Sequence, residues 1–337
     1  MNVSISSGKQ KGLQAVADSR GVIAALAIDQ RGAMRALFAR AMGIEPQSVP
    51  DEKLVQFKEA VSSTLTSLAS AILLDPEFGL PAAQKRAPGS GLLLAYEVTG
   101  YDKNIPGRLP RLLDHWSVPR LIEAGANAVK LLLYYSDRST AQVNDIKSAF
   151  VQRIGGECVA ADVPFFLELV SYHDGMDEKA VEFARIKHEV VTAGTAEFTK
   201  PQYRVDVLKV GMPVNLSMVE TSPTAGREIL HTREAAQALF REAAAAATVP
   251  FIYLSEGVSN ETFQFGLELA AESGVKFSGV LCGRATWKDG VEVFVRQGAE
   301  ALQEWLRTEG TRNIENVNNR LSAATPWFEI RNVVAVS

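Results

Sequence analysis

Eight short apolar runs, separated by longer and more polar stretches, restrict the fold of this chain more than any other feature. They are "GVIAALAID" (21–29), "AILLDPE" (71–77), "GLLLAYE" (91–97), "AVKLLLYY" (128–135), "PFFLELVSY" (164–172), "DVLKVGMP" (206–213), "FIYLSEG" (251–257) and "FSGVLCG" (277–283). Each has the length of a strand and is rich in Val, Ile, Leu, Phe and Tyr. Their apolarity is nearly continuous instead of alternating. A strand needs that pattern when both of its faces are buried, as in a parallel sheet covered by crossover helices. Several intervening segments have helical periodicity: "DEKLVQFKEAVSSTLTSLAS" (51–70), "IKSAFVQRIGGECVAA" (146–161), "EAAQALFREAAAAA" (234–247) and "ETFQFGLELAAES" (261–273). Eight strands alternating with helices over 337 residues close most economically into a (β/α)8 barrel. An open doubly wound sheet is the alternative. It usually begins with a glycine-rich phosphate loop, and no GxGxxG follows the first run. Turn-rich stretches such as "KRAPGSG", "YDKNIPGRLP" and "TSPTAG" fall between elements, and no composition shift marks a boundary. One barrel domain is expected over 1–337, with a short extension at 1–20 and a helical segment from about 310 to 337.

Charge narrows the choice of partner. Lys and Arg total 35 against 39 Asp and Glu, a net charge of −4, which argues against nucleic acid or an anionic membrane. An anionic ligand must therefore be met by a few local cations. The start of the chain lacks the apolar core of about 7–15 residues that a signal peptide needs, and no run approaches the ~18 apolar residues of a membrane span. A cytoplasmic protein is expected. The two cysteines, Cys158 and Cys282, are far apart and in no CxxC spacing, which argues against a disulfide framework and a thiolate metal site.

Barrel enzymes carry their chemistry at the carboxyl ends of the strands. Polar residues collect there: Asp29 and Gln30, Asp75 and Glu77, Glu97, Glu168 and His173, Lys209, Ser255 and Glu256, and Gly283 with Arg284. Three charges, Lys130, Glu168 and Lys209, interrupt the apolar runs themselves. A buried charge without a partner costs several kcal/mol, so each must be paired, neutral or facing a polar cavity. A structural ion pair between Glu168 and one lysine is the simplest reading of a single lysine in a strand. Two lysines and a carboxylate on neighbouring strands support a sharper one. A second cation nearby and partial desolvation both favour the neutral amine that attacks a ketone, which makes Lys209 a candidate nucleophile.

A phosphate site is indicated at the last two runs. "GVLCGRATW" joins Gly283 to Arg284 before an expected helix, and "LSEGVS" offers the Ser255 hydroxyl and the Gly257 backbone. Metal chemistry is the competitor. Of the four histidines, His115 lies in an expected helix, His188 and His231 lie in polar segments, and only His173 is near a strand end, too few for a multi-His site. Magnesium held by Asp75, Glu77 and Glu97 is the other metal option, although these acids are more simply paired with Lys85, Arg86 or Arg108.

The motifs "ALAIDQRGAMR", "ILLDPEFGL", "GLLLAYEVTGYD", "AGANAVKLLLYY", "PFFLELVSY", "DVLKVGMPVN" and "FSGVLCGRATW" run in order from about residue 20 to about residue 310. Together they resemble the class I tagatose 1,6-bisphosphate aldolases. The resemblance implies a (β/α)8 barrel that cleaves tagatose or fructose 1,6-bisphosphate to dihydroxyacetone phosphate and glyceraldehyde 3-phosphate with neither metal nor cofactor. It places the Schiff-base lysine on Lys209 and the acid/base carboxylate on Glu168. Asp29, Gln30 and Lys130 match further active-site positions, and Ser255, Leu281 and Arg284 match substrate-binding ones. On the phosphate reading of the last two runs, Gly257 and Gly283 join Ser255 and Arg284 around the C1 phosphate; the sequence does not resolve the C6-phosphate site, for which Arg31 is the candidate. The partners are small sugar phosphates, and a homo-oligomer is compatible with the pattern. Glu256, where a small residue is expected, and Gly211-Met212 depart from the family pattern. Two rival functions are a related aldolase for another six-carbon ketose phosphate, such as 6-deoxy-6-sulfofructose 1-phosphate, and a barrel that binds sugar phosphates without turning them over.

Overall fold

Each apolar run contains one strand: β1 (Ile23–Ala27), β2 (Ala71–Leu74), β3 (Gly91–Ala95), β4 (Ala128–Tyr135), β5 (Phe165–Ser171), β6 (Val207–Val210), β7 (Phe251–Leu254) and β8 (Gly279–Cys282). In the computed structural model, which describes residues 5–98, 101 and 105–331, every strand pairs in parallel with the next in sequence. β8 pairs back onto β1, with Ala25 opposite Leu281, and closes the barrel. Residues 99, 100 and 102–104 of the motif "GLLLAYEVTGYD" and the turn stretch after it lie outside the described residues, as do 1–4 and 332–337 of the two terminal segments.

The continuous apolarity of the strands has a direct structural cause. Successive side chains point to opposite faces of a strand, and here each face has its own core. Ile23, Ala25 and Ala27 of β1, Ala71 and Leu73 of β2, Leu93 and Ala95 of β3, and Ala128 of β4 join Phe166, Val207, Ile252 and Leu281 inside the barrel. The intervening residues, among them Leu26, Ile72, Leu94, Val129, Leu167 and Leu208, pack outward under the helices. Alanines alternate there with larger Ile, Leu, Val and Phe side chains, so the interior is a packed core with no pore.

The helices are α1 (Ser7–Val16), α2 (Gly32–Met42), α3 (Asp51–Leu65), α4 (Leu80–Ala83), α5 (Val118–Glu123), α6 (Ala141–Ala160) and α7 (Val181–Phe198). They continue as α8 (Arg233–Ala245), α9 (Asn260–Glu272), α10 (Arg284–Trp287), α11 (Gly290–Trp305), α12 (Thr311–Asn319) and α13 (Trp327–Arg331). Several start on side-chain caps: Ser117, Thr140, Thr232 and Ser259 each accept the backbone N–H three residues on. The Ser117 cap corrects one expectation, because it starts α5 only after His115, which lies in a turn. Outside the strands, Phe38, Phe57, Phe294 and Trp287 stack edge to face, and the Trp287 Nε1–H donates to Ala27 O at 2.8 Å. Burying one such ring contributes about 1.5–3 kcal/mol.

Helices α1 and α13 close the floor of the barrel. Leu13 and Val16 of α1 and Trp327 of α13 belong to the same cluster as the barrel interior. Lys9 of α1 reaches Asp206, just before β6, at 2.6 Å. Gly12 makes this approach feasible, since a Cβ there would stand 2.4 Å from Asn127 O and 2.5 Å from Pro164 Cδ. With the floor sealed, the carboxyl ends of the strands are the open face. Among the described residues no helix is long and apolar enough to cross a membrane.

Candidate active site

The two-residue period that builds the inner core continues past it into charge. Asp29 follows Ile23, Ala25 and Ala27; Glu97 follows Leu93 and Ala95; Lys130 follows Ala128; Glu168 follows Phe166; Lys209 follows Val207. At the carboxyl ends the same inward register that packs alanines lower down therefore gathers charged side chains.

These charges form one cluster. Lys130 Nζ lies 2.8 Å from Asp29 Oδ2, 2.7 Å from Glu97 Oε1 and 2.9 Å from Glu168 Oε2. That same Glu168 oxygen lies 2.9 Å from Lys209 Nζ, and the two residues are direct neighbours in the β5–β6 register. Glu97 is fixed at its other oxygen by the Leu132 N–H at 3.0 Å. Lys130 has no exposed surface, Lys209 is 3% exposed and Glu168 is 6% exposed. Burial pushes the Asp29 and Glu168 carboxyls up, but Lys130 and Lys209 outweigh it and hold both below the usual carboxylate range. Burial likewise pushes Lys130 down, and Asp29, Glu168 and Glu97 reverse it, leaving Lys130 well above the ordinary lysine value.

The division of carboxylates distinguishes the two lysines. Lys130 is held by three and is a fixed cation, whereas among the described residues Lys209 pairs only with the shared oxygen of Glu168. A proton leaving Lys209 has an acceptor at 2.9 Å, within the charged cluster at the carboxyl ends of the strands. The arrangement can thus supply a nucleophilic amine, a proton shuttle beside it and a permanent positive charge behind both.

The other expected site residues divide into two groups. Gln30 donates from Nε2 to Asp29 Oδ1 at 3.2 Å, while its buried Oε1 has no hydrogen-bond partner among the described residues and can accept from a ligand. Gly283 lies beside it, since a Cβ there would stand 3.4 Å from Gln30 Nε2. Ser255 begins the turn after β7, and Gly257 in that turn lies flat against Arg284, where a Cβ would stand 2.7 Å from Cζ. Arg284 pairs with no carboxylate among the described residues. Leu281 lies lower, with its side chain in the inner core. Arg31 is not brought to the mouth as an open cation. It is 3% exposed and bound to the Glu77 carboxylate, and it donates to Glu97 O at 2.7 Å. From its position after β1, its side chain runs sideways across the ends of β2 and β3.

Three carboxylates also have partners other than the expected ones. Asp75 pairs with Lys58 of α3, Glu77 with Arg31, and Glu97 with Lys130. Arg86 is taken up by the carbonyls of Ser90 and Ala83, and Arg108 by Glu178. Glu97, expected from the sequence to be a polar strand end or a magnesium ligand, joins the lysine cluster. Its inward register with Leu93 and Ala95 is the signal that identifies it.

A closed parallel barrel with a lysine pair and a shared carboxylate at its mouth has the architecture of an aldolase. The chain belongs to the DeoC/LacD family of aldolases, whose model matches residues 23–289. It is similar to tagatose 1,6-diphosphate aldolase 2 of Enterococcus faecalis, 49% identical over 327 residues that cover 96% of this chain and 97% of that protein. It is 48% identical to the tagatose 1,6-diphosphate aldolase of Staphylococcus aureus, over 96% of this chain and 99% of that one. Among solved structures, a Plasmodium falciparum fructose-bisphosphate aldolase matches with a TM-score of 0.69 at 16% identity, covering 96% of each chain. A Schiff base forming fructose-1,6-bisphosphate aldolase matches with a TM-score of 0.51 at 15% identity, over 88% of this chain and 98% of that one. At these identities the structural likeness concerns the fold.

Proposed function

We propose that this chain is a class I aldolase that cleaves tagatose 1,6-bisphosphate, and fructose 1,6-bisphosphate beside it, into dihydroxyacetone phosphate and glyceraldehyde 3-phosphate through a Schiff base on Lys209. The observation that carries the reading is the single Glu168 oxygen held 2.9 Å from both Lys209 and Lys130. The substrate rests on the tagatose names of relatives 48% and 49% identical, which favour it over a sulfo sugar and over a barrel without turnover.

In this mechanism Lys209 passes its proton to Glu168, and the neutral amine attacks the C2 carbonyl of the open-chain ketose. Glu168 returns that proton to the carbinolamine oxygen, water leaves, and an iminium forms. The C3–C4 bond then breaks, with its electron pair drawn into the iminium to give an enamine. The proton of the C4 hydroxyl goes to a carboxylate, with Glu168 the first choice and Asp29 the second. Proton transfer of this kind contributes typically about 10²–10⁴-fold. Glyceraldehyde 3-phosphate departs, the enamine is reprotonated at C3, and water releases dihydroxyacetone phosphate and regenerates Lys209. The iminium is the electron sink, so no metal takes part in any step. Lys130 keeps positive charge beside the developing oxyanions, Gln30 Oε1 accepts a sugar hydroxyl, and Ser255, Gly257, Gly283 and Arg284 hold the C1 phosphate. Doubly phosphorylated sugars are kept inside the cell, which fits a cytoplasmic enzyme.

A coupled assay for triose phosphate release tests this. Tagatose 1,6-bisphosphate is expected to be cleaved with a higher kcat/KM than 6-deoxy-6-sulfofructose 1-phosphate, and EDTA is expected to leave the rate unchanged. Loss of activity in EDTA, or release from the sulfo sugar alone, counts against the reading.

A further inference from the structure

We infer that Lys187 and Glu256 form a clamp that sets the shape and charge of the phosphate-binding turn after β7. This deepens the proposed function and rests on it in one respect, that the ligand of this turn is the phosphate of dihydroxyacetone phosphate.

The turn runs from Ser255 to Val258, closed by the Val258 N–H donating to Ser255 O at 3.0 Å. Its two central residues both have positive φ, 49° at Glu256 and 80° at Gly257. That is the pattern of a type I′ turn, which glycine, asparagine and aspartate adopt readily and a glutamate does not. A glutamate held there must be over-determined by its surroundings.

Its surroundings supply this from two elements. Lys187 of α7, itself 8% exposed, donates to Glu256 Oε2 at 2.7 Å and to Val214 O at 3.3 Å, tying the β7 turn to the segment after β6. Gly211 leaves the space the carboxylate occupies, since a Cβ there would stand 2.6 Å from Glu256 Oε1. On its other side the turn supports Arg284 through Gly257. The clamp therefore fixes Ser255, the Gly257 backbone and the seat of Arg284 together.

Charge makes the pair necessary as well as convenient. A carboxylate next to a phosphate site repels the ligand, and Lys187 cancels it at the point where it would act. Removing the lysine both frees the turn to leave its unfavourable conformation and exposes the phosphate to an unpaired carboxylate. The two effects have the same sign. Lys187 and Glu256 are thus positioning residues, and neither is required to touch the reacting carbons.

The test is the affinity of the wild type, Lys187→Met and Lys187→Arg for inorganic phosphate by calorimetry, beside KM for each triose phosphate in the aldol direction. Lys187→Met is expected to weaken phosphate binding about tenfold and to raise KM for dihydroxyacetone phosphate by a similar factor. KM for glyceraldehyde 3-phosphate and kcat should stay within about twofold, and Lys187→Arg should recover most of the loss. Lys187→Gln, uncharged but still able to donate, replaces the methionine variant if that one does not fold, with the same expected weakening. Unchanged phosphate affinity overturns the clamp, and so does a parallel loss in both triose phosphates that arginine does not rescue. A wild type that binds phosphate but releases no triose phosphate overturns the proposed function instead, and the calorimetric comparison still judges the clamp.

Discussion

Lys209→Met is expected to reduce retro-aldol turnover by at least about 10⁵-fold, or about 7 kcal/mol at 1.36 kcal/mol per decade, while the barrel stays folded. The size follows from chemistry. The amine is the atom that becomes the iminium nitrogen, and Lys130, the neighbouring lysine of the cluster, cannot replace it because it is locked by three carboxylates. The intact fold follows from the pairing. When Lys209 is lost, Glu168 still has Lys130 at 2.9 Å, and methionine fills similar volume without a charge to bury. Steady-state kinetics and a thermal melt on the same sample separate the two effects.

Lys130→Met should damage both activity and stability. It leaves Asp29, Glu97 and Glu168 without the one cation they share, at a site where Lys130 has no exposed surface. Breaking a buried pair by removing one partner costs about 3–5 kcal/mol, because the charges left behind are uncompensated. The pH dependence of that loss has a definite sign. In the wild type the depressed Asp29 and Glu168 carboxyls contribute stability that is present above the unfolded carboxyl range and lost as pH falls through their folded values. The raised Lys130 contributes stability that is present below the ordinary lysine value and lost only as pH rises through its higher folded value. Without Lys130, burial is opposed by Lys209, and at Asp29 also by Arg31, so Asp29 and Glu168 take up protons more readily. The stability gap between wild type and variant should therefore be widest near neutral pH and narrow on acidification. Denaturant titrations at pH 5 and pH 7.5 measure it. A gap that widens in acid would contradict the pairing.

Much of this site was legible in the sequence because charge inside a buried strand breaks the local rule. Lys130, Glu168 and Lys209 stand out for that reason, and parallel pairing then makes Glu168 and Lys209 neighbours. Asp29 and Glu97 were harder, since a polar residue at a strand end is ordinary; only the inward two-residue register distinguishes them. The partners of Asp75 and Arg31 were not legible. Lys58 lies on α3, whose rotation about the barrel depends on packing that no local pattern encodes. The same applies to Lys187. Helix α7, which carries it, is not among the helical segments that stand out in the sequence, because Lys187 itself, Gly194 and Thr195 interrupt its apolar face. Glu256 was visible as an unexpected acid beside a phosphate loop, while the lysine that neutralises it is 69 residues away.

The most direct test of the central claim is reduction by borohydride in the presence of dihydroxyacetone phosphate, followed by peptide mass mapping. The expected result is the mass of the reduced adduct on Lys209, in a tryptic peptide running uncut from Val205 to Arg227 because trypsin no longer cleaves at the modified lysine. An adduct on Lys130, or a fully active enzyme that carries no adduct and loses its activity in EDTA, would contradict it.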